Sequence, residues 1–392
     1  MSNVSGAKIN KLASESESYV IKMRREFHMY PEPSLKEERT SLRIQEELGK
    51  FGIPFEVLGD RTVIGTIEGG KKGKTLAIRA DIDALSIQED NDVPYKSRTE
   101  GAMHACGHDA HAAMLLGTAK MLMEIKEELK GTVKLVFQVA EEIGLGHQEI
   151  LDYFERTGGV DGIIATHVWA ALEAGVISIE TGPRMAGAAP FSLEVTGRGG
   201  HGSRPDLSVS PILPMCDILM KLPYIPQYFY NALETAVVSI GVVTAGTMRN
   251  TIPDRALAEG GIRYFTPEAE KSIKNNIVNI AENVAKAYGA EAKVTFGGGI
   301  VPVVNDGPTV ELAREAAQET DGLRLVPFEL ICASDCYGMI LQKYPGCYCF
   351  LGVGNKEKGI VHQQHSVNYD IDESAMKLNC EFICRYVLKY FS

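Results

Sequence analysis

The densest chemistry in the chain is Met103-His-Ala-Cys-Gly-His-Asp-Ala-His111, with three histidines, one cysteine and one aspartate in nine residues. Thiolate, imidazole and carboxylate donors grouped this closely suit a divalent metal of borderline softness. Cys106 and His108, separated by Gly107, fall where a loop meets a helix N-terminus. That position is expected to lower a thiol pKa, and a bound metal would complete the ionisation. The same run also reads as a helix-start loop whose histidines only cap and hydrogen-bond, since neither CxxC nor HExxH spacing is present.

Four other segments carry donors. Glu141-Glu142 follow the apolar stretch TVKLVFQVA at 132–140, and His167 follows GIIAT at 162–166. Asp81-Ile-Asp83 follow TLAIRA at 75–80, and His365 lies in VHQQHS beyond CYCFLGVG. Each has a plain reading alone: a solvated turn, a rim histidine, a loop histidine. Open α/β sheets, however, bind ligands at the C-terminal ends of their strands. Asp, Glu, His and His at four such ends predict one shared rim and a binuclear site.

The elements that must hold this rim alternate along the chain. Ile9, Leu12, Val20, Met23 and Phe27 recur at helical spacing and predict a first helix ending before Pro31. Strands at 75–80, 132–140, 162–166 and 347–353 alternate with helices at 109–123 and 373–390, the pattern of an α/β sheet. Near Pro190 the texture changes to half-exposed strands at 191–196 and 236–243, with helices at 211–222 and 267–288, as in a small α+β sandwich. The expected fold is therefore an α/β three-layer catalytic domain with a mixed sheet, residues 1–187 and 299–392. It is interrupted by an inserted α+β ferredoxin-like domain at 188–298. The charge of −11 among 392 residues, 40 basic against 51 acidic, disfavours nucleic acid or an anionic membrane as partner. The longest uncharged run, 235–248, is shorter than the roughly 18 residues a membrane span needs. Eight scattered cysteines and no visible leader segment predict reduced thiols and a cytoplasmic location.

Taken in order, RREFHMYPEPSLKEERT from Arg24, RADIDALSIQED from Arg79, MHACGHDAH from Met103, FQVAEE from Phe137, THVW from Thr166, GRGGHGSRP from Gly197, NTIPD from Asn250 and the closing HQQHS resemble one family. The chain is similar to the dinuclear metal-dependent amidohydrolases grouped with aminoacylase, hippurate hydrolase and the plant indole-acetyl-amino-acid hydrolases. That resemblance implies two divalent ions, zinc or manganese, held by Cys106, His108, Glu142, His167 and His365, with Cys106 as the bridge. It implies Glu141 as general base and Asp83 as support for metal and base, with Asp81 the second choice. His201 would stabilise the oxyanion in the partner subunit's site, and Asn250 would contact substrate. The inserted domain would form a homodimer and act as a lid.

Two departures bear on substrate. Where relatives carry Gly-Ser-Glu-Asp-Phe, this chain has Cys332-Ala-Ser-Asp-Cys336, and Asp206 stands where a histidine is common. Cys347, Cys349, Cys380 and Cys384 read as core, and His104 and His111 as supporting rather than ligating. The expected activity is hydrolysis of N-acyl amino acids. The alternatives are an exopeptidase acting on dipeptides or aminoacyl conjugates, which would share the site, and a non-catalytic relative, which intact Glu141 and ligand positions disfavour.

Overall fold

The computed structural model describes residues 4–59, 61–231 and 233–392. The chain divides into two compact units. The first comprises Met1–Arg184, Val304–Glu329 and Met339–Ser392, and the second Met185–Val303 with Leu330–Gly338. The Leu330–Gly338 segment, which the sequence reading leaves in the catalytic stretch, clusters with the second unit.

The first unit is built on one mixed sheet. Its strands are β1 (Phe55–Leu58), β2 (Thr62–Glu68), β3 (Lys71–Asp81), β4 (Lys130–Gln138), β5 (Gly162–Glu173), β6 (Val176–Ser178), β7 (Arg324–Leu325) and β8 (Gly346–Gly354). They lie in the order β1-β2-β4-β3-β5-β8-β6-β7. The central neighbours β4, β3, β5 and β8 are mutually parallel, whereas β2 runs antiparallel to β4 and β6 antiparallel to β8. Every residue of β8 and the run Leu76–Asp81 of β3 is buried. Continuous rather than alternating burial means that both faces of the central sheet are covered.

The covering helices include α1 (Gly6–Met29), α2 (Glu38–Lys50), α3 (His108–Met123) and α4 (Ser374–Tyr390). Helices α1, α3 and α4 pack on one another, and α2 packs on β2. Helix α3 is buried from His108 to Ala119 and again at Met121 and Leu122, so it is covered around almost its whole circumference. Helix α1 starts at a Ser5 cap whose hydroxyl accepts the Lys8 N–H.

Two sequence expectations shift. The strand expected over 132–140 stops at Gln138, because Ala140 turns to φ +58°. The strand expected to end before His167 runs on to Glu173, because β8 continues the pairing, with Phe350 opposite His167 and Gly352 opposite Trp169. His167 thus projects from within a strand rather than from its end.

The second unit carries a four-stranded antiparallel sheet in the order Val237–Ala245, Arg255–Tyr264, Gly187–Thr196, Glu291–Phe296. Gly187–Thr196 alternates buried and solvent-facing residues, so one face is packed. Helices Ile212–Lys221 and Pro267–Ala287 supply Met215, Ile218, Ile273 and Ile277 to its core, beside Leu193, Val195 and Ile262. The longer helix begins with Pro267 after a Thr266 cap. Among the described residues no helix is long and apolar enough to cross a membrane.

Candidate metal centre

Because β3, β4 and β5 run parallel side by side, the segments leaving their C-terminal ends gather at one edge. Asp83 follows β3, Glu141 and Glu142 form a single 3₁₀ turn after β4, and His167 projects from β5. The start of α3 and the loop before it bring His108 and Cys106 to the same place. Gly107 between them has φ +94°, and a Cβ there would lie 2.3 Å from Val168 Cγ2, so only glycine fits this entry to the helix.

The histidines are oriented by their own hydrogen bonds. His108 Nδ1 lies 3.0 Å from the Asp83 carbonyl and 3.1 Å from Asp83 Oδ1. His167 Nδ1 lies 2.7 Å from the Val168 carbonyl. A carbonyl only accepts, so each ring keeps its proton on Nδ1 and offers Nε2. His167 Nε2 faces Cys106 Sγ at 3.5 Å. His108 Nε2 and Glu142 Oε1 are buried with no hydrogen-bond partner.

The donor atoms fall into overlapping groups, each within 4.8 Å: Cys106 with His108 and His167, Cys106 with Glu142 and His365, and His108 with Glu141 and Glu142. Cys106 is common to the first two. His365 is exposed, its backbone at φ +64° and its N–H given to the Ala105 carbonyl at 2.7 Å. Desolvation sets the titration here. It pushes the Cys106 thiol up, outweighing the lowering effect of His108, and it pushes the Glu142 carboxyl up as well. The expected lowering of the Cys106 pKa at the helix start is therefore reversed in the protein alone, because burial exceeds the helix-end effect. Orphaned buried donors and a thiol held neutral by desolvation are what a divalent cation would resolve, since it pairs with the former and ionises the latter. The donor set fits two divalent ions.

Supporting groups surround these donors. Burial pushes Asp83 up, but hydrogen bonds from His108 and Ser34 prevail and leave its carboxyl below the usual range. Asp83 Oδ2 accepts the Ser34 hydroxyl at 2.6 Å and the Glu142 N–H at 3.0 Å. Asp81 instead pairs with Arg79 at 2.6 Å and with His111, whose Nε2 accepts the Val168 N–H. Both His111 nitrogens are thus occupied. His104 is buried without a partner on either nitrogen, and burial pulls its pKa down to about 4. Beneath α3, Asp109 takes Arg24 of α1 at 2.9 Å and His28 at 2.7 Å. Trp169 packs its ring 5.6 Å from that of His167 and against Phe350.

In the second unit, His201 and Asn250 come together on a short ribbon in which Thr251 pairs with His201 and the Gly202 N–H reaches the Asn250 carbonyl at 2.8 Å. Both are exposed. The Ser203 backbone N–H and hydroxyl approach His201 Nδ1 at 3.2 and 2.7 Å. Nδ1 therefore accepts, and the neutral ring carries its proton on the free Nε2. Asp206 pairs with exposed Arg204 at 2.7 Å.

Sequence reasoning assigned no role to Ser34, Glu37, Arg24 or His28. The available signal was their clustering in RREFHMYPEPSLKEERT, which runs from the last turns of the first helix into the loop after it.

A parallel-centred sheet that gathers thiolate, imidazole and carboxylate donors around a second carboxylate defines a metal-dependent hydrolase. The chain belongs to peptidase family M20/M25/M40, whose model matches residues 77–389. It is 36% identical over 375 residues to thermostable carboxypeptidase 1 of Saccharolobus solfataricus, covering 95% of each chain. It is 36% identical over 368 residues to an N-acetylcysteine deacetylase of Bacillus subtilis, covering 93% of this chain and 94% of that one. A solved Bacillus subtilis structure described as a dinuclear metal-binding peptidase of the M20 family superposes with TM-score 0.86 at 32% identity, over 96% of this chain and 99% of that one.

Proposed function

We propose that the protein hydrolyses the amide bond of N-acyl amino acids, releasing the amino acid and a carboxylic acid. The observation that carries this reading is the pair of donor groups sharing Cys106, with the Glu141 carboxylate alongside. The similarity to a deacetylase of an N-acyl amino acid points the same way.

In this reading Cys106, His108, Glu142, His167 and His365 would hold two divalent ions, Cys106 being common to two of the donor groups. Thiolate and imidazole favour zinc, and the carboxylates also admit manganese. When bound, the ions lower the pKa of a water toward about 7 and polarise the scissile carbonyl. Glu141 takes the proton of the attacking water and delivers it to the leaving amine nitrogen. Asp83 fixes the His108 ring and the Glu142 backbone. His201 Nε2–H donates to the developing oxyanion in the partner subunit's site, and Asn250 contacts the substrate. The second unit, read as an inserted ferredoxin-like domain over 188–298 between catalytic segments 1–187 and 299–392, serves as lid and dimerisation surface. The enzyme works in the cytoplasm.

The similarity to a carboxypeptidase favours a second reading, an exopeptidase using the same centre. A hydrolysis panel of acetyl, benzoyl and indole-acetyl amino acids beside dipeptides, with zinc or manganese added, separates the two. Turnover of an N-acyl class, lost in Glu141→Gln with metal retained, supports the proposal. Turnover of dipeptides alone replaces it with the exopeptidase.

A further inference from the structure

The Glu141–Glu142 turn depends on an unusual backbone. After β4 ends, Ala140 adopts φ +58° and ψ +34°, a left-handed conformation that L-residues other than glycine seldom take. Such a conformation is strained and persists only where the surroundings impose it. Ala140 is fully buried, so its N–H also needs a partner. That partner is the Glu37 carboxylate, whose Oε1 accepts the Ala140 N–H at 2.9 Å.

We propose that Glu37 is a positioning residue: its carboxylate holds Ala140 in the left-handed conformation that directs Glu141 and Glu142 into the metal centre. The proposal rests on reading those two residues as base and ligand. Glu37 is itself fully buried, 103 residues away in sequence, at the start of α2. Its other oxygen, Oε2, has no hydrogen-bond partner and lies 3.8 Å from Arg61 Nε. A buried carboxyl whose remaining oxygen meets only this longer contact with Arg61 is costly for the fold. The segment carrying Glu37 also grips the far side of the same turn. Ser34 donates to Asp83 Oδ2, and that oxygen accepts the Glu142 N–H. Leu35, between Ser34 and Glu37, is itself at φ +65°. Among the described residues the non-glycine positions with positive φ are Leu35, Ala140 and His365. One lies in the gripping segment, one in the gripped turn and one is a candidate ligand, so the strain is concentrated at this centre. The second handle runs through Asp83, the residue that the family resemblance marks as support for metal and base. The first, through Glu37, is new.

The test uses Glu37→Leu, which keeps the volume but cannot accept a hydrogen bond, and Glu37→Gln, whose Oε1 still accepts one. Hydrogen–deuterium exchange by mass spectrometry on the metal-free full chain reads the backbone at 138–142, independently of catalysis. Glu37→Leu is expected to speed exchange there by about tenfold or more without altering exchange in β3 or α3. With metal restored, its kcat should fall about 10–100-fold, the scale of lost supporting contacts, with KM within twofold. Glu37→Gln should stay within about threefold of the parent in both measurements. Unchanged exchange in Glu37→Leu, or equal losses in the two variants, would overturn the proposal. If the parent itself hydrolyses no N-acyl amino acid, the functional reading fails while the exchange comparison still decides the role of Glu37.

Discussion

The metal rim of the first unit and the His201–Asn250 ribbon of the second solve different physical problems. At the rim, donors are mostly buried, their rings are oriented by fixed carbonyls, and backbone strain is held by hydrogen bonds from distant segments. On the ribbon, His201 and Asn250 are exposed and held by near neighbours, Ser203, the strand partner Thr251 and the Gly202 N–H. The rim groups are held by contacts within the first unit, whereas the ribbon presents the His201 Nε2–H and the Asn250 side chain to solvent. Preorganisation is concentrated where charges must be desolvated, and solvent exposure is tolerated where only a donor has to be presented.

Substitutions can break this contrast. The largest expected effect is that of Glu141→Gln at the rim, which should lower kcat by about 10²–10⁴-fold with bound metal unchanged on elemental analysis. His201→Ala on the ribbon should cost about 10²–10³-fold in kcat, again without metal loss. If it released metal, the separation of the two regions would be wrong. Asp83→Asn should weaken metal affinity about 10–100-fold in a chelator competition, because His108 loses the carboxylate that orients it. Glu47→Gln, near the opposite end of α2 from Glu37, should affect only the scaffold. Burial pushes Glu47 up, but Lys50, Tyr19 and Arg43 prevail and hold it down to about 2. A depressed carboxyl stabilises the fold above its unfolded pKa near 4.5, and that contribution is lost as pH falls from there towards 2. The variant should therefore lose about 1–3 kcal/mol in urea melts at pH 7 and match the parent near pH 2, with kcat unaffected.

Much of this was legible in the sequence, for a physical reason. Ligands of a rim site cluster at strand ends and helix starts, where apolar runs stop and donors begin, so MHACGHDAH and the paired glutamates stand out. The change of texture near Pro190 likewise marks where continuous burial gives way to alternation. What could not be read depends on partners distant in sequence. The extension of β5 past His167 follows from pairing with β8, some 180 residues on. The left-handed turn at Ala140 is imposed by Glu37, since alanine carries no local signal for positive φ. The Cys106 thiol went the other way from its helix-start expectation because desolvation depends on packing, which local spacing does not reveal.

The proposed dinuclear centre is organised by Cys106. Its most direct test is titration of metal-free protein with Co(II), following absorption in the thiolate-to-metal region, for the parent and for Cys106→Ser. Saturation is expected at two equivalents per chain, with a thiolate band that vanishes in the variant. Saturation at one equivalent, or spectra in which Cys106→Ser is indistinguishable from the parent, would contradict it.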